Sequence, residues 1–172
     1  MRTLLKRVEL LANVAIIIVA VLLAVVLVKQ FVVNKTAQPT RPASARRELN
    51  RGDKVQLSGV DWAKNSHTLL LVLQKGCHFC TESAPFYQQL VKQTSASNDI
   101  KLVALLPQTV SEGKQYLEEI GVDIADIRQV SPNQVNVGGT PTLILVNNDG
   151  VATDVWSGQL PPDIESKVLS KL

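Results

Sequence analysis

Cysteine is scarce in this chain, with only Cys77 and Cys80 among 172 residues, and histidine is equally scarce, with only His67 and His78. A zinc site is disfavoured by that scarcity, because those two imidazoles alone could supplement the two sulfurs and their spacing matches no zinc pattern. No internal repeat occurs. A basic excess is also missing where a folded domain would carry it. Residues 1–49 hold eight Lys/Arg against two Asp/Glu, net +6, whereas residues 50–172 hold ten against thirteen, net −3. The isoelectric point of about 9.0 therefore belongs to the N-terminal part, and it gives no reason to expect a nucleic-acid partner.

What is present begins with an apolar run. From Leu10 to Val28 the only polar residue is Asn13. Nineteen residues at about 1.5 Å each make roughly 28 Å of helix, close to the thickness of a bilayer's hydrocarbon core. A cleaved signal peptide is the alternative, but its apolar core is shorter and its small-x-small site lies close behind. Ala43-Ser44-Ala45 has that spelling and stands too far from Val28. A buried core helix without a polar face would need protein on all sides, more than the remaining chain provides. Basic residues flank the run on both sides (Arg2, Lys6 and Arg7; Lys29, Lys35, Arg41, Arg46 and Arg47). They suit lipid headgroups but do not choose an orientation. Asn34 to Asn50, rich in Thr, Ala, Pro, Arg and Gln, reads as a tether.

Cys77-His78-Phe79-Cys80 follows an apolar strand and opens a helix-like stretch. Two cysteines three apart close a disulfide when a helix's first turn presents both side chains the same way. Unpaired amides and the dipole at such a start favour a thiolate, the species that thiol-disulfide exchange requires. Cys77 takes the exposed position and reads as nucleophile, Cys80 as resolving thiol. A structural disulfide is the plain alternative. His78 either stabilises the Cys77 thiolate or only shapes the turn, and Phe79 either caps an apolar docking surface or packs on the domain. A membrane-tethered dithiol is most useful where disulfides form, which places the residues beyond about Phe31 outside the cytoplasm.

Strands are expected at Val55–Leu57, Thr68–Gln74, Ile100–Leu106, Thr142–Val146 and Val151–Trp156. The Asn147-Asn148-Asp149-Gly150 loop joins the last two as a hairpin. Helices are expected from Cys77, with a kink at Pro85, over Ser111–Ile120 with Gly121 at its end, and from Pro161.

This order resembles the thioredoxin fold over roughly residues 52–172. The likeness rests on Cys77-x-x-Cys80 at the strand-to-helix turn and on Gly138-Gly139-Thr140-Pro141-Thr142 before the hairpin. Gly52-Asp53, Pro85 and Asp149-Gly150 add a resemblance to membrane-anchored, extracytoplasmic proteins of the TlpA and ResA type. The resemblance implies that Pro141 is cis and packs on the cysteine pair, and that Thr140 faces the disulfide. Departures from the pattern stand beside it. Gly76 replaces a Trp, Leu71 occupies the place of a buried Asp, and Ser83 that of a Glu. No buried acid is then positioned to relay protons for Cys80, and Glu82 reads as a solvated residue. A peroxidatic Pro-x-x-x-Thr/Ser-x-x-Cys pattern is absent, since Leu70 and Gln74 occupy its places.

The expected fold class is α/β: a thioredoxin fold, with a mixed sheet flanked by helices, preceded by one N-terminal transmembrane helix. Its parts are a cytoplasmic tail (1–9), the membrane helix (10–31), a linker (32–51) and the domain (52–172). The expected function is a thiol-disulfide oxidoreductase, single-pass in the bacterial inner membrane with its domain in the periplasm or equivalent space. It would act on protein thiols or disulfides through Cys77 and Cys80, supported by His78, Thr140 and Pro141. No cofactor is expected beyond the cysteine pair; a membrane or extracytoplasmic redox partner is. The alternatives are a tethered binding or chaperone module and a peroxiredoxin-like antioxidant domain.

Overall fold

The structure is a computed structural model and describes residues 47–97 and 99–172. The tail, the membrane helix and most of the linker expected from the sequence lie outside the described residues. Among the described residues no helix is long and apolar enough to cross a membrane.

Five strands form one mixed sheet in the order β3-β2-β1-β4-β5. They are β1 (His67–Val72), β2 (Ile100–Leu106), β3 (Asp126–Gln129), β4 (Thr142–Asn147) and β5 (Ala152–Ser157). β1 lies at the centre, parallel to β2 and antiparallel to β4. Its continuous apolar run is what a strand covered on both faces requires. Leu69 through Leu73 are all fully buried. Alternation along the strand sends Leu69, Leu71 and Leu73 into one core cluster and Leu70 and Val72 into another.

Helices cover the first face. They are α1 (His78–Glu82), α2 (Ala84–Ala96), α3 (Val110–Glu119) and α4 (Pro162–Leu169). Phe86, Tyr87 and Leu90 of α2, Tyr116 and Leu117 of α3 and Val168 of α4 fill this cluster. The kink expected at Pro85 is a break at Ser83, with Pro85 in the first turn of α2, where its missing N–H costs nothing. α3 starts on a capping box: Thr109 Oγ1 accepts from the Glu112 amide, and the Glu112 carboxylate accepts from the Thr109 amide. The Thr109 hydroxyl, which donates to Glu112 Oε2, and after it the Thr109 amide hold the Glu112 carboxyl below its ordinary pKa. Gly121 closes α3 in the left-handed region, at φ 70°.

Loops cover the other face. Leu49, Val55, Val130, Val135 and Val137 bury against Leu70, Val72, Val103 and Ile144. Leu49 belongs to the stretch read as tether, yet its amide donates to the Asn136 carbonyl at 2.8 Å. The packed unit therefore takes in part of that stretch. The strand expected at Val55–Leu57 does not form; only the single bridge Lys54↔Val151 marks the segment. Val55 is instead pinned by its amide to the Gly150 carbonyl, 2.9 Å away, and buries as a loop residue. β3 was not expected, since Asp-Ile-Arg-Gln has no apolar run to announce a strand. Backbone pairing with β2 makes it an edge strand. There the Arg128 guanidinium grips Asp126 with two bonds of 2.9 and 3.1 Å, and Lys101 pairs with the same carboxylate.

In the hairpin, Asn147 Oδ1 accepts from the Asp149 and Val151 amides. Gly150 sits at φ 75°, and a Cβ there would meet the Trp62 indole at 2.9 Å. Gly150→Ala is expected to destabilise the domain by at least about 1–2 kcal/mol from backbone strain alone, read as a lowered denaturant midpoint with an unchanged m-value. A second expectation concerns acid. Arg128 foremost, then Lys101, holds the folded Asp126 carboxyl below its unfolded pKa. Its stabilisation is therefore present above the unfolded pKa and is lost as pH falls through the folded one. Asp126→Asn should flatten the acid limb of the stability–pH curve below about pH 4.

Candidate functional site

The register of the central strands assembles the site. Val72, the last residue of β1, pairs with Thr142, the first of β4. The chain leaving β1 toward Cys77 is thus laid beside the chain entering β4 from Pro141. The Thr140–Pro141 peptide bond is cis. Pro141 is buried and Thr140 half-buried. Around them, the Thr142 hydroxyl donates to the Gly139 carbonyl and the Gly158 amide to the Pro141 carbonyl, each at 2.8 Å.

Cys77 and Cys80 are joined as a disulfide, Cα atoms 5.2 Å apart. Cys77 is the N-cap of α1: its Sγ accepts the Cys80 amide proton at 3.2 Å. A charge-bearing sulfur gains most from that bond, which favours the thiolate. The carbonyl oxygen of Thr140 lies 3.4 Å from the same Sγ. It can accept from a thiol and repels a thiolate, so the two contacts oppose each other. Exposure separates the sulfurs more sharply. Cys77 is partly open to solvent, whereas Cys80 is fully buried. An incoming partner reaches Cys77; Cys80 can react only from within.

The other sequence-derived residues are placed unevenly. Thr140 does face the sulfur, and the contact is made by its carbonyl and not by its hydroxyl. His78 is 76% exposed, and its Nε2 stands 3.1 Å from Glu82 Oε1, one turn on. The imidazole is therefore paired with Glu82, because i and i+4 side chains share a helix face. Phe79 is 52% exposed, and its ring packs on His78 with centroids 5.6 Å apart. Val110 is likewise half-exposed. It opens α3, just after the loop whose Gln108 accepts the Lys75 amide at 3.3 Å, two residues before Cys77. Sequence reasoning missed this second loop, although Thr109-x-x-Glu112 spells a helix start. Among the described residues no group of three or more His, Cys, Asp or Glu is placed to hold a metal.

No family model and no curated protein matches the sequence. Solved structures do match the fold. One is assigned as the thiol:disulfide interchange protein DsbE of Chlorobium tepidum, with TM-score 0.55 and 19% identity over 72% of this chain and 98% of that one. A thiol-disulfide isomerase of Corynebacterium glutamicum gives 0.52 and 19% over 73% and 93%. StoA of Bacillus subtilis gives 0.50 and 16% over 62% and 82%. These neighbours have the thioredoxin fold, and so does this chain.

The burial difference carries a prediction. In the reduced protein, iodoacetamide should modify Cys77 at least about tenfold faster than Cys80 at pH 7, read by mass mapping of the modified peptides. Equal rates would remove the distinction between an attacking and a resolving thiol.

Proposed function

We propose that this chain is a membrane-anchored thiol-disulfide oxidoreductase that acts on protein thiols or disulfides outside the cytoplasm. The observation that carries the reading is the asymmetric pair: Cys77 capping a helix at the surface, Cys80 sealed behind it, and cis-Pro141 alongside. The assignment of structural neighbours as a thiol:disulfide interchange protein and a thiol-disulfide isomerase supports it.

The chemistry follows from that asymmetry. In the reducing direction, the Cys77 thiolate attacks a partner disulfide, one partner sulfur leaves as a thiol, and a mixed disulfide remains. Cys80 then attacks Cys77 Sγ, the second partner sulfur leaves, and the Cys77–Cys80 bond closes with two electrons transferred to the partner. Run backward, the same steps donate a disulfide. No further cofactor is required.

Anchoring is supported by the apolar run Leu10–Val28 and the basic residues around it. Within that arrangement, residues 1–9 form the cytoplasmic tail, 10–31 the spanning helix and 32–51 the linker, whose last residues, Leu49 among them, pack onto the domain. A redox pair on a tether fits the oxidising side of a bacterial cell membrane. The half-exposed Phe79 favours one second reading, a tethered binding module that holds an apolar partner without exchange.

Two measurements on the full chain test this. The protein should accelerate dithiothreitol-driven reduction of insulin, and Cys77→Ala should return the rate to background. Retained cellular function in that variant would favour the binding module. A membrane-impermeant maleimide applied to intact cells, after mild reduction, should label Cys77; labelling only after lysis would contradict the placement.

A further inference from the structure

Resolution requires a buried sulfur, Cys80, to become a thiolate. Burial opposes the charged form, and no strand acid stands behind it, since Leu71 occupies that position and is fully buried. The buried strand residues that share a core cluster with Cys80, Leu71, Leu73 and Leu143 among them, are all apolar. His78 and Glu82 of α1 are exposed and paired with each other. From α3 comes Tyr116, whose hydroxyl is 3.5 Å from Thr81 Oγ1. From α4 comes Glu165, half-buried, with its carboxyl pushed up by burial.

Two hydroxyls occupy the inward stripe directly after Cys80. Ser83, one turn on, is 5% exposed, and its hydroxyl donates to the Phe79 carbonyl at 2.8 Å. That carbonyl also receives the Ser83 amide at 3.1 Å, so it keeps a donor if the hydroxyl turns away. Tyr87, one turn further, is 1% exposed, and its phenol oxygen has no hydrogen-bond partner among the described residues. A helical tyrosine points back toward the N-terminus of its helix, here toward Ser83. Burial pushes the phenol pKa up; the Ser83 hydroxyl is near enough to pull the other way but is not in hydrogen-bonding geometry with the phenol. The phenol therefore stays protonated and remains a donor at neutral pH. An unpartnered buried hydroxyl is costly and calls for a cause.

We propose that Ser83 and Tyr87 form a hydroxyl relay that stabilises the Cys80 thiolate while Cys77 is bound to a partner. In that state Tyr87 O–H closes on Ser83 Oγ and donates to it, and Ser83 O–H rotates from the Phe79 carbonyl to the Cys80 sulfur. Tyr87 is a positioning residue acting through Ser83. The inference deepens the exchange reading and rests on it. In the step served, Cys80 gives up its proton, which ends on the departing partner sulfur. The Cys80 thiolate attacks Cys77 Sγ, the bond from Cys77 to the partner breaks, and the Cys77–Cys80 bond forms. The partner is reduced and the pair oxidised.

The test uses the full chain carrying Cys77→Ser, in which Cys80 is the sole thiol, with alkylation rate followed against pH. Adding Tyr87→Phe, which keeps the ring, should raise the Cys80 midpoint by about one pH unit. Ser83→Ala should raise it at least as far, and the double variant no further than Ser83→Ala alone. Thermal unfolding should show Tyr87→Phe no less stable than its parent. A midpoint unmoved by Tyr87→Phe, or additive shifts in the double variant, would overturn the relay. Glutathione exchange of the unsubstituted pair keeps the two readings apart. A pair that exchanges while the Cys80 midpoint ignores Tyr87 sinks the relay alone, whereas a pair that does not exchange sinks both.

Discussion

The antiparallel pairing of β1 with β4 is the constraint on which the site depends. β1 is buried on both faces and bonded on both edges, so its register cannot slip by one residue without exchanging Leu69, Leu71 and Leu73 for Leu70 and Val72 between two filled cores. With Val72 fixed opposite Thr142, the two connections leaving that end of the sheet must meet. One carries the cysteine pair and the other carries cis-Pro141. No side-chain interaction at the site is needed to bring them together; the hydrophobic core does it.

Local electrostatics then divide the labour between two identical side chains. Cys77 stands outside the first turn of α1 and receives the Cys80 amide, while Cys80 lies within the helix and under the core. A thiolate is favoured at the first sulfur by that donor and opposed at the second by desolvation. The same helix turn that aligns the sulfurs for a disulfide thus makes one accessible and keeps the other in reserve. The exposed surround adds an apolar side chain, Phe79, beside the His78–Glu82 pair.

Much of this was legible before any coordinates. Apolar runs of strand length marked β1, β2 and β4, because burial on both faces leaves no polar positions to blur the pattern. Asn147 and Gly150 marked the hairpin by the backbone conformations they permit. Cys77 and Cys80 identified themselves by spacing and by their place at a strand-to-helix turn. Three features were not legible, for physical reasons. β3 owes its existence to pairing with β2 and not to its own residues. Val55 looked like a strand residue because it is buried, but its burial comes from a loop folded against the hairpin. The buried Tyr87 hydroxyl could not be foreseen, because a tyrosine on a helix is ordinarily counted as core, and only the packing shows that Tyr87 is fully covered with its hydroxyl unpartnered.

On the proposed function, Cys77 and Cys80 are a working redox couple and not a structural staple. Equilibrating the full chain in glutathione buffers of graded potential, then trapping free thiols, tests it most directly. The account predicts one reversible two-electron transition, both thiols appearing together, with a midpoint in the range of about −270 to −120 mV spanned by known exchange proteins. A pair that stays oxidised below about −300 mV, as structural disulfides do, or that does not titrate reversibly, would contradict it.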